Sequence, residues 1–441
     1  MSKLIAIQWP ADPGASAGLP RKDRRSCRYE AYLPDPLCGR PVVLDGPVAA
    51  DVADAEAAII RLNHGTSALA DTEALARLLL RAESVASSKI EGLEVGPRRL
   101  LQAEAARESA GSSADVAADE VLGNIDAMVY ATQSRDDNDN DNDADDDDGD
   151  DGETAAITLD HLLEINRRLL SGSRLAHTAG QIRTVQNWIG GSSYNPCSAA
   201  FVPPPPEFVH ELLVDLCRFC NEESLPALVQ AALAHAQFET IHPFVDGNGR
   251  TGRALVHRIF RRRGLAPRVA PPVSLVLATW SVDYIAALQA TRYRGDATSP
   301  EAHEGLNRWV GLFATACRRA VADAAEFDER VREIEEKWRR RLAPIRANSS
   351  AELLLRALPG APIVTVRSAQ NLIGRSTVAT NEAVRRLTGA GVLTQTTIGR
   401  RNRAFEAREL IDAFVDLERR LASPDGDTRV SPPTRRVLRR Q

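Results

Sequence analysis

Between residues 136 and 153 the chain reads DDNDNDNDADDDDGDDGE, a run with 12 acids and no base. No packed domain can pass through such a stretch, because like charges repel and nothing apolar is available to bury. The run predicts a disordered insertion over residues 134–154, with folded parts on either side. It does not read as a calcium loop, which needs acids at alternate places around a glycine in sixth position. Setting Gly149 or Gly152 there puts Ala144 or Gly149 where an acid is required. Without these 12, the chain's 60 acids become 48, against 55 lysines and arginines, so the remainder is mildly basic although the whole carries −5.

At 441 residues the chain is too long for one core, and two or three domains are expected. Its 43% hydrophobic and 26% charged residues match a soluble globular protein. The six cysteines form no disulfide framework. Cys217 and Cys220 make a lone C-x-x-C in an apolar helical stretch, which reads as two buried thiols rather than half a zinc site. The opening MSKLIAIQWPADPG has too short an apolar run for a signal peptide. No run of about 18 apolar residues occurs, so no membrane segment is expected and the cytoplasm is the expected compartment.

The pattern elsewhere is mainly α. Residues 1–24, rich in Pro, Gly and Ala, read as a flexible arm. A helical N-terminal region fills 25–133, with helices over Ala50–Asn63, Thr72–Ile90, Leu100–Ala110 and Ala114–Thr132. Gly92, Gly96 and Pro97 stop the second of these. A core over 155–325 contains helices at 158–170, Glu207–Asn221, Ala227–Glu239, Thr251–Arg263, Val282–Thr291 and Glu304–Ala325, and the prolines at 203–206 force an extended backbone between the first two. A charged linker helix covers 326–348. Residues 349–420 read as a small separate domain: helix, helix, turn at Gly374-Arg375, a second helix N-capped by Ser376, then a basic hairpin around Gly399-Arg400-Arg401-Asn402-Arg403. That order of parts is a winged helix. The tail, 421–441, is expected to be disordered.

The segment richest in chemistry is His242-Pro243-Phe244-Val245-Asp246-Gly247-Asn248-Gly249-Arg250-Thr251-Gly252-Arg253. Gly247-Asn248-Gly249 lets the chain turn tightly, and the helix that follows offers its positive N-terminus to an anion. Arg250 and Arg253 stand three apart and can face one polyphosphate. Asp246 supplies a hard oxygen for Mg²⁺, and His242 can accept a proton near neutral pH. A lone histidine before proline, or a lone G-N-G, is ordinarily structural. Together in this order they describe phosphate-transfer chemistry.

The segment matches the HxFx(D/E)GNGRxxR signature and resembles the Fic family (filamentation induced by cAMP). Gly180-Gln181-Ile182-Arg183 with Val185, Trp188 to Gly190 and the proline run are similar to the family's flap, and Tyr284 and Leu288 to a later Y-x-x-x-L element. The resemblance covers about 29–410. It implies a helical Fic core with a small β-hairpin flap, plus the C-terminal winged helix. It also implies transfer of AMP from ATP to a Ser, Thr or Tyr hydroxyl of a protein, with release of pyrophosphate. In that carry-over His242 is the general base and Asp246 holds Mg²⁺. Asn248 and the amides around Gly247 and Gly249 form the anion hole, and Arg250 and Arg253 take the outer phosphates. Phe244 anchors the loop. The flap around Ile189-Gly190-Gly191-Ser192 pins the nucleotide and pairs with the target segment.

Ser87-Ser88-Lys89-Ile90-Glu91-Gly92 resembles the family's inhibitory motif, (S/T)xxxE(G/N). Through Ser87, Glu91 and Gly92 it implies a brake in which Glu91 occupies the guanidinium of Arg253. Rival readings are removal of AMP, another phosphate-containing donor, a dead scaffold, or a regulator that binds DNA through 349–420, where Arg375, Arg385, Arg386, Arg400, Arg401 and Arg403 could face phosphates. Docking of a protein on that unit, or a homodimer, fits equally. His235 and His257 read as packing or supporting residues, and Trp188, Trp280 and Trp309 as core or flap anchors.

Overall fold

The computed structural model describes residues 1–10, 26–65, 72–110, 115–133, 156–398 and 402–420. The acidic insertion, the tail, most of the expected arm and the hairpin tip at 399–401 lie outside the described residues. Helices α1 (Gly46–Gly65), α2 (Thr72–Ile90), α3 (Pro97–Ala110) and α4 (Val116–Thr132) come first. They are followed by α5 (Leu159–Leu170), α6 (Pro206–Asn221), α7 (Ala227–Ile241), α8 (Asn248–Arg262), α9 (Val273–Thr279), α10 (Ser281–Ala290) and α11 (Pro300–Leu342). The C-terminal part holds α12 (Ser350–Ala357), α13 (Val366–Ile373), α14 (Thr377–Gly389) and α15 (Arg408–Arg420). Strands β1 (Lys3–Trp9) and β2 (Cys27–Leu33) pair antiparallel, and β3 (Ile363–Thr365), β4 (Thr394–Ile398) and β5 (Asn402–Glu406) form a sheet of order β3-β5-β4. The protein is mainly helical, and no single described helix is long and apolar enough to cross a membrane.

The centre is α7. Its sequence, ALVQAALAHAQFETI, has no polar face, and every residue in it is buried. A helix apolar all round must be surrounded. Helices α6, α8, α1 and α11 do this, and Trp309 of α11 donates its indole N–H to the Ala232 carbonyl at 2.7 Å. α7 therefore delivers its C-terminal end, and the loop after it, from the most rigid part of the molecule. α8 contrasts with it: Arg250, Arg253 and His257 are buried although charged or polar, which demands partners from neighbouring helices.

Four expectations need correction. The chain's first residues are not a loose arm. Ile5, Ile7 and Trp9 face one way in β1, opposite Ala31, Tyr29 and Cys27 of β2, a period-two pattern that the glycine and proline content obscured. The flap is not a β-hairpin: Ile189 and Phe201 make one isolated antiparallel bridge. Prolines 203–206 have no N–H with which to extend a ladder. The linker helix does not exist as a separate element, since α11 continues through residue 325 with Phe327, Val331, Ile334, Trp338 and Leu342 buried along one side. Finally, residues 349–420 have only a small core of their own, Ile363, Ala404 and Ile411, and share the larger one. Leu354, Leu387 and Phe414 belong to one apolar cluster with Phe327 and Trp338 of α11 and with Leu78, Leu79, Ala82 and Ala86 of α2.

Candidate active site

His242 caps α7 in the left-handed conformation (φ 50°, ψ 60°), its N–H bonded to the Phe238 carbonyl at 2.9 Å. That turn throws the chain away from the helix axis and places the imidazole beside the loop. Phe244, 1% exposed, packs near Phe238 and pins the loop to the core. Asn248 closes it: its side-chain oxygen accepts from the Phe244 N–H and its amide donates to the Phe244 carbonyl, both at 2.9 Å. These two bonds hold the loop closed and use one of the two N–H groups of the Asn248 amide. Gly247 takes φ 78° as the residue before α8, where a Cβ would strike Leu169. The first α8 amide to reach a helix carbonyl is Thr251, on Gly247 at 2.9 Å. Those of Asn248, Gly249 and Arg250 open at the helix N-terminus, where an anion is favoured.

Glu91 from α2 fills that place. Its carboxylate accepts from Arg253 Nη2 at 2.8 Å, and a Cβ on Gly249 would overlap it. Arg253, 3% exposed, also donates through Nε to the Ser87 hydroxyl at 2.8 Å and through Nη2 to the Ser87 carbonyl at 2.9 Å. Burial pushes the Glu91 carboxyl up, but the Arg253 guanidinium outweighs it, with help from Arg250, and holds the group below its usual range. Arg250 differs. Its Nη2 reaches Asp246 at 3.3 Å, while Nε and Nη1 are buried without a hydrogen-bond partner. A buried guanidinium so left points to an anion that completes it.

Burial, and then the nearby Arg183 charge, push the His242 imidazole down to about 4, so it is neutral near pH 7. Nδ1 is enclosed without a partner, 3.9 Å from Glu239, which leaves Nε2 for an incoming group. Glu239 is pushed up to about 7 by burial and by the charge on Glu91. His235, fully buried, meets the Tyr284 hydroxyl at 2.7 Å, and His257 meets Glu83 at 2.9 Å; both hold helices together. Cys217 and Cys220 are buried free thiols on α6.

The structure thus brings together His242, Asp246, Gly247, Gly249, Arg250, Arg253, Ser87 and Glu91. Gly92 takes φ 82° two residues past the end of α2. Ile189, Gly190, Gly191 and Ser192 sit in the flap, where Gly190 and Gly191 take φ 75° and 76°. A Cβ on Gly191 would overlap the Ser198 carbonyl, so glycine is required.

Three supporting residues have no role assigned to them from the sequence, although Arg183 stands in the flap-like segment. Arg183 donates to the carbonyls of His242 (2.9 Å) and Pro204 (2.6 Å), tying loop to flap. Asn187 donates to the carbonyls of His242 and Phe244, each at 3.2 Å. Asn166 donates to the Asp246 carbonyl at 3.1 Å and accepts from the Gly180 N–H at 3.0 Å. A signal for Asn166 existed: a polar residue among Leu162, Ile165 and Leu169 on the buried face of α5. The cysteines also departed from expectation, since Cys27 of β2 and Cys197 beside the flap form a disulfide.

Comparison with known proteins follows the same loop. Residues 156–260 match the family model Fic, described as the Fic/DOC family, and residues 49–133 match Fic_N, the Fic/DOC family N-terminal model. The chain is 34% identical over 174 residues to "Protein adenylyltransferase fic-1" of Caenorhabditis briggsae, 37% of this chain and 31% of that protein. With the Caenorhabditis elegans protein of the same name it shares 34% over 169 residues, 36% of this chain and 30% of the relative. It thus spans about a third of the length of these curated relatives. Among solved structures, a Fic family protein from Desulfovibrio desulfuricans G20 aligns with a TM-score of 0.48 at 20% identity, over 83% of this chain and 97% of the other. Two segments of the chain, one containing α2 and Glu91 and the other the His242–Arg253 loop, thus match the N-terminal and Fic models of the Fic/DOC family.

Proposed function

We propose that the chain is a protein adenylyltransferase, held off by Glu91, that moves AMP from ATP to a Ser, Thr or Tyr hydroxyl of a protein. The observation that carries this reading is Arg253: a buried guanidinium at a helix N-terminus, clasped by Ser87 and Glu91 in the place a phosphate would take. The target hydroxyl attacks the α-phosphorus, its proton passes to Nε2 of His242, and the bond to pyrophosphate breaks. The open amides at the start of α8, with Arg250 and Arg253, bind the phosphates and stabilise the charge that develops on the leaving group. Asp246, the one carboxylate in the His242–Arg253 segment, is the side chain that would hold a metal, and among the described residues no three His, Cys, Asp or Glu converge as a metal site. One hard carboxylate oxygen suits Mg²⁺ that arrives with a polyphosphate, and Mg²⁺ there would neutralise phosphate charge. With Glu91 in place, ATP loses the Arg253 contact and its α-phosphate is misaligned, which is costly. The flap from Ile189 to Ser192 presents backbone to the target as an added strand.

The test is incubation of wild type, Glu91→Gly and Glu91→Gly with His242→Ala, using ATP labelled on the α-phosphate, read by intact mass. The expected result is self-labelling raised on the order of tenfold or more in Glu91→Gly and abolished when His242 is also lost. An unlabelled Glu91→Gly protein would refute the activity.

We further read residues 349–420 as a winged helix, with α13 and α14 as its helix–turn–helix and β4–β5 as the wing. Arg367, Arg375 and Arg385 are exposed there, which favours contact with a polyanion such as DNA. A salt-dependent mobility shift of a labelled duplex by the full chain is the expected result; no shift at low salt would leave this unit as a protein-docking module.

A further inference from the structure

α2 and α8 run antiparallel, and the brake at Glu91 is only the last of three contacts between them. Glu83 and Ser87 stand four apart on one face of α2, and Glu91, four further on, continues that line just past the helix end at Ile90. Opposite them on α8 stand Arg253 and His257, also four apart. Glu91 and Ser87 hold Arg253, and Glu83 meets His257 Nε2 at 2.9 Å. Glu83 also accepts from the Ser274 N–H at 2.7 Å and from the Ser274 hydroxyl at 2.5 Å, at the start of α9. Glu83 and His257 side chains are each 1% exposed. A carboxylate buried this deeply is costly to leave without these donors.

Glu91 is held differently. Its side chain is 36% exposed, and it lies one residue past Ile90, the last residue of α2. α2 is thus pinned firmly at Glu83 and loosely at Glu91, about 12 Å along the axis. A stiff helix passes any shift at the pinned point on to its end. None of Glu83, His257 and Ser274 lies in the 87–92 stretch or in the loop. We propose that Glu83, clamped by His257 and Ser274, is a positioning residue of the brake that fixes where Glu91 reaches and so sets how firmly the enzyme is held off. This rests on the adenylyltransferase reading for its activity readout, but not for its structural one.

The test pairs Glu83→Gln with Glu91→Gly, singly and together, using ATP labelled on the α-phosphate. Glu83→Gln alone should raise self-labelling roughly threefold to tenfold, less than Glu91→Gly does. In the Glu91→Gly background it should add nothing, because the groups act as one unit. A residue that merely supports the fold would change labelling alike in both backgrounds, and that result would overturn the proposal, as would no change in either. Ser274→Ala, which removes one hydroxyl bond, reads the same prediction if Glu83→Gln does not fold. Amide hydrogen exchange at 84–92 should also quicken in Ser274→Ala. Should Glu91→Gly itself fail to label, the activity reading falls while this exchange still decides the latch: unaltered exchange refutes it.

Discussion

Arg253 and Glu239 face the same small space, and each is tuned by the charge on Glu91. Burial works against the Arg253 charge, but Glu91 outweighs it and keeps the guanidinium firmly protonated. Removing Glu91 without a replacement anion leaves that buried charge with its Ser87 hydrogen bonds but without its ion-pair partner, so an arriving phosphate exchanges one anion for another. Glu239 lies on the losing side: burial and the Glu91 charge raise it from 4.5 to about 7. The folded protein therefore binds this proton more tightly than the unfolded chain does. Its contribution to stability is present below pH 4.5 and is lost as pH rises through about 7, a change of about 3 kcal/mol at most. Glu239→Gln, neutral at every pH, should flatten that fall, gaining roughly 1–3 kcal/mol at pH 8 relative to pH 4 in urea unfolding. An unchanged pH dependence would remove this account of Glu239. His242 should likewise stay neutral at a pH about one unit below the ordinary histidine value, since burial and Arg183 hold it near 4. Nitrogen-15 spectra of the imidazole would show a protonated ring there if the enclosure is wrong.

The elements that position the flap are tied by contacts that sequence spacing does not advertise. Trp9 of β1 meets Trp188 edge-on at 5.6 Å, and Tyr32 of β2 donates its N–H to the Val202 carbonyl at 2.9 Å. The Cys27–Cys197 disulfide closes the same junction across a sequence separation of 170. A crosslink over so long a loop restricts the unfolded chain strongly, so Cys197→Ser should lower stability by about 2–5 kcal/mol. Denaturant midpoints for the wild type, with and without dithiothreitol, check this; insensitivity to both changes would mean the bond does not form. The contrast with the catalytic loop shows what could be read. Gly247, Asn248 and Gly249 dictate a turn by their own backbone preferences, and α2 was legible from its apolar spacing and the glycines after it. Arg183, Asn187 and Asn166 act on the loop from 55 to 80 residues away, and although the polar Asn166 stands out on an apolar face, the carbonyls that these three bind leave no mark in sequence. Asn248 could equally have faced an anion or its own loop, and only the fold decides. The hydrogen bonds that reward β1 come from β2, beyond a glycine- and proline-rich stretch, so composition pointed the other way.

At the scale of the molecule, α2 belongs to two neighbours at once. One face presents Glu83, Ser87 and Glu91 to α8, and the other sends Leu78, Leu79, Ala82 and Ala86 into the cluster shared with α11 and the C-terminal unit. Phe414 of α15 packs edge-on to Phe327 of α11, with ring centroids 6.3 Å apart, inside that cluster. A shared core unfolds as one, so heating should give a single transition that includes the C-terminal unit. Phe414→Ala should cost about 3–5 kcal/mol, the loss expected for a buried phenyl ring. Because the lost contact lies in the cluster that α2 enters, hydrogen exchange at residues 76–86 should also rise in that variant. On the proposed reading of Glu91 as a brake, the brake then inherits the stability of the C-terminal unit: whatever grips or loosens that unit changes how long Glu91 stays on Arg253. Two separate heat transitions, with exchange in α2 indifferent to Phe414, would instead mean that the unit rides on α11 and leaves the brake alone.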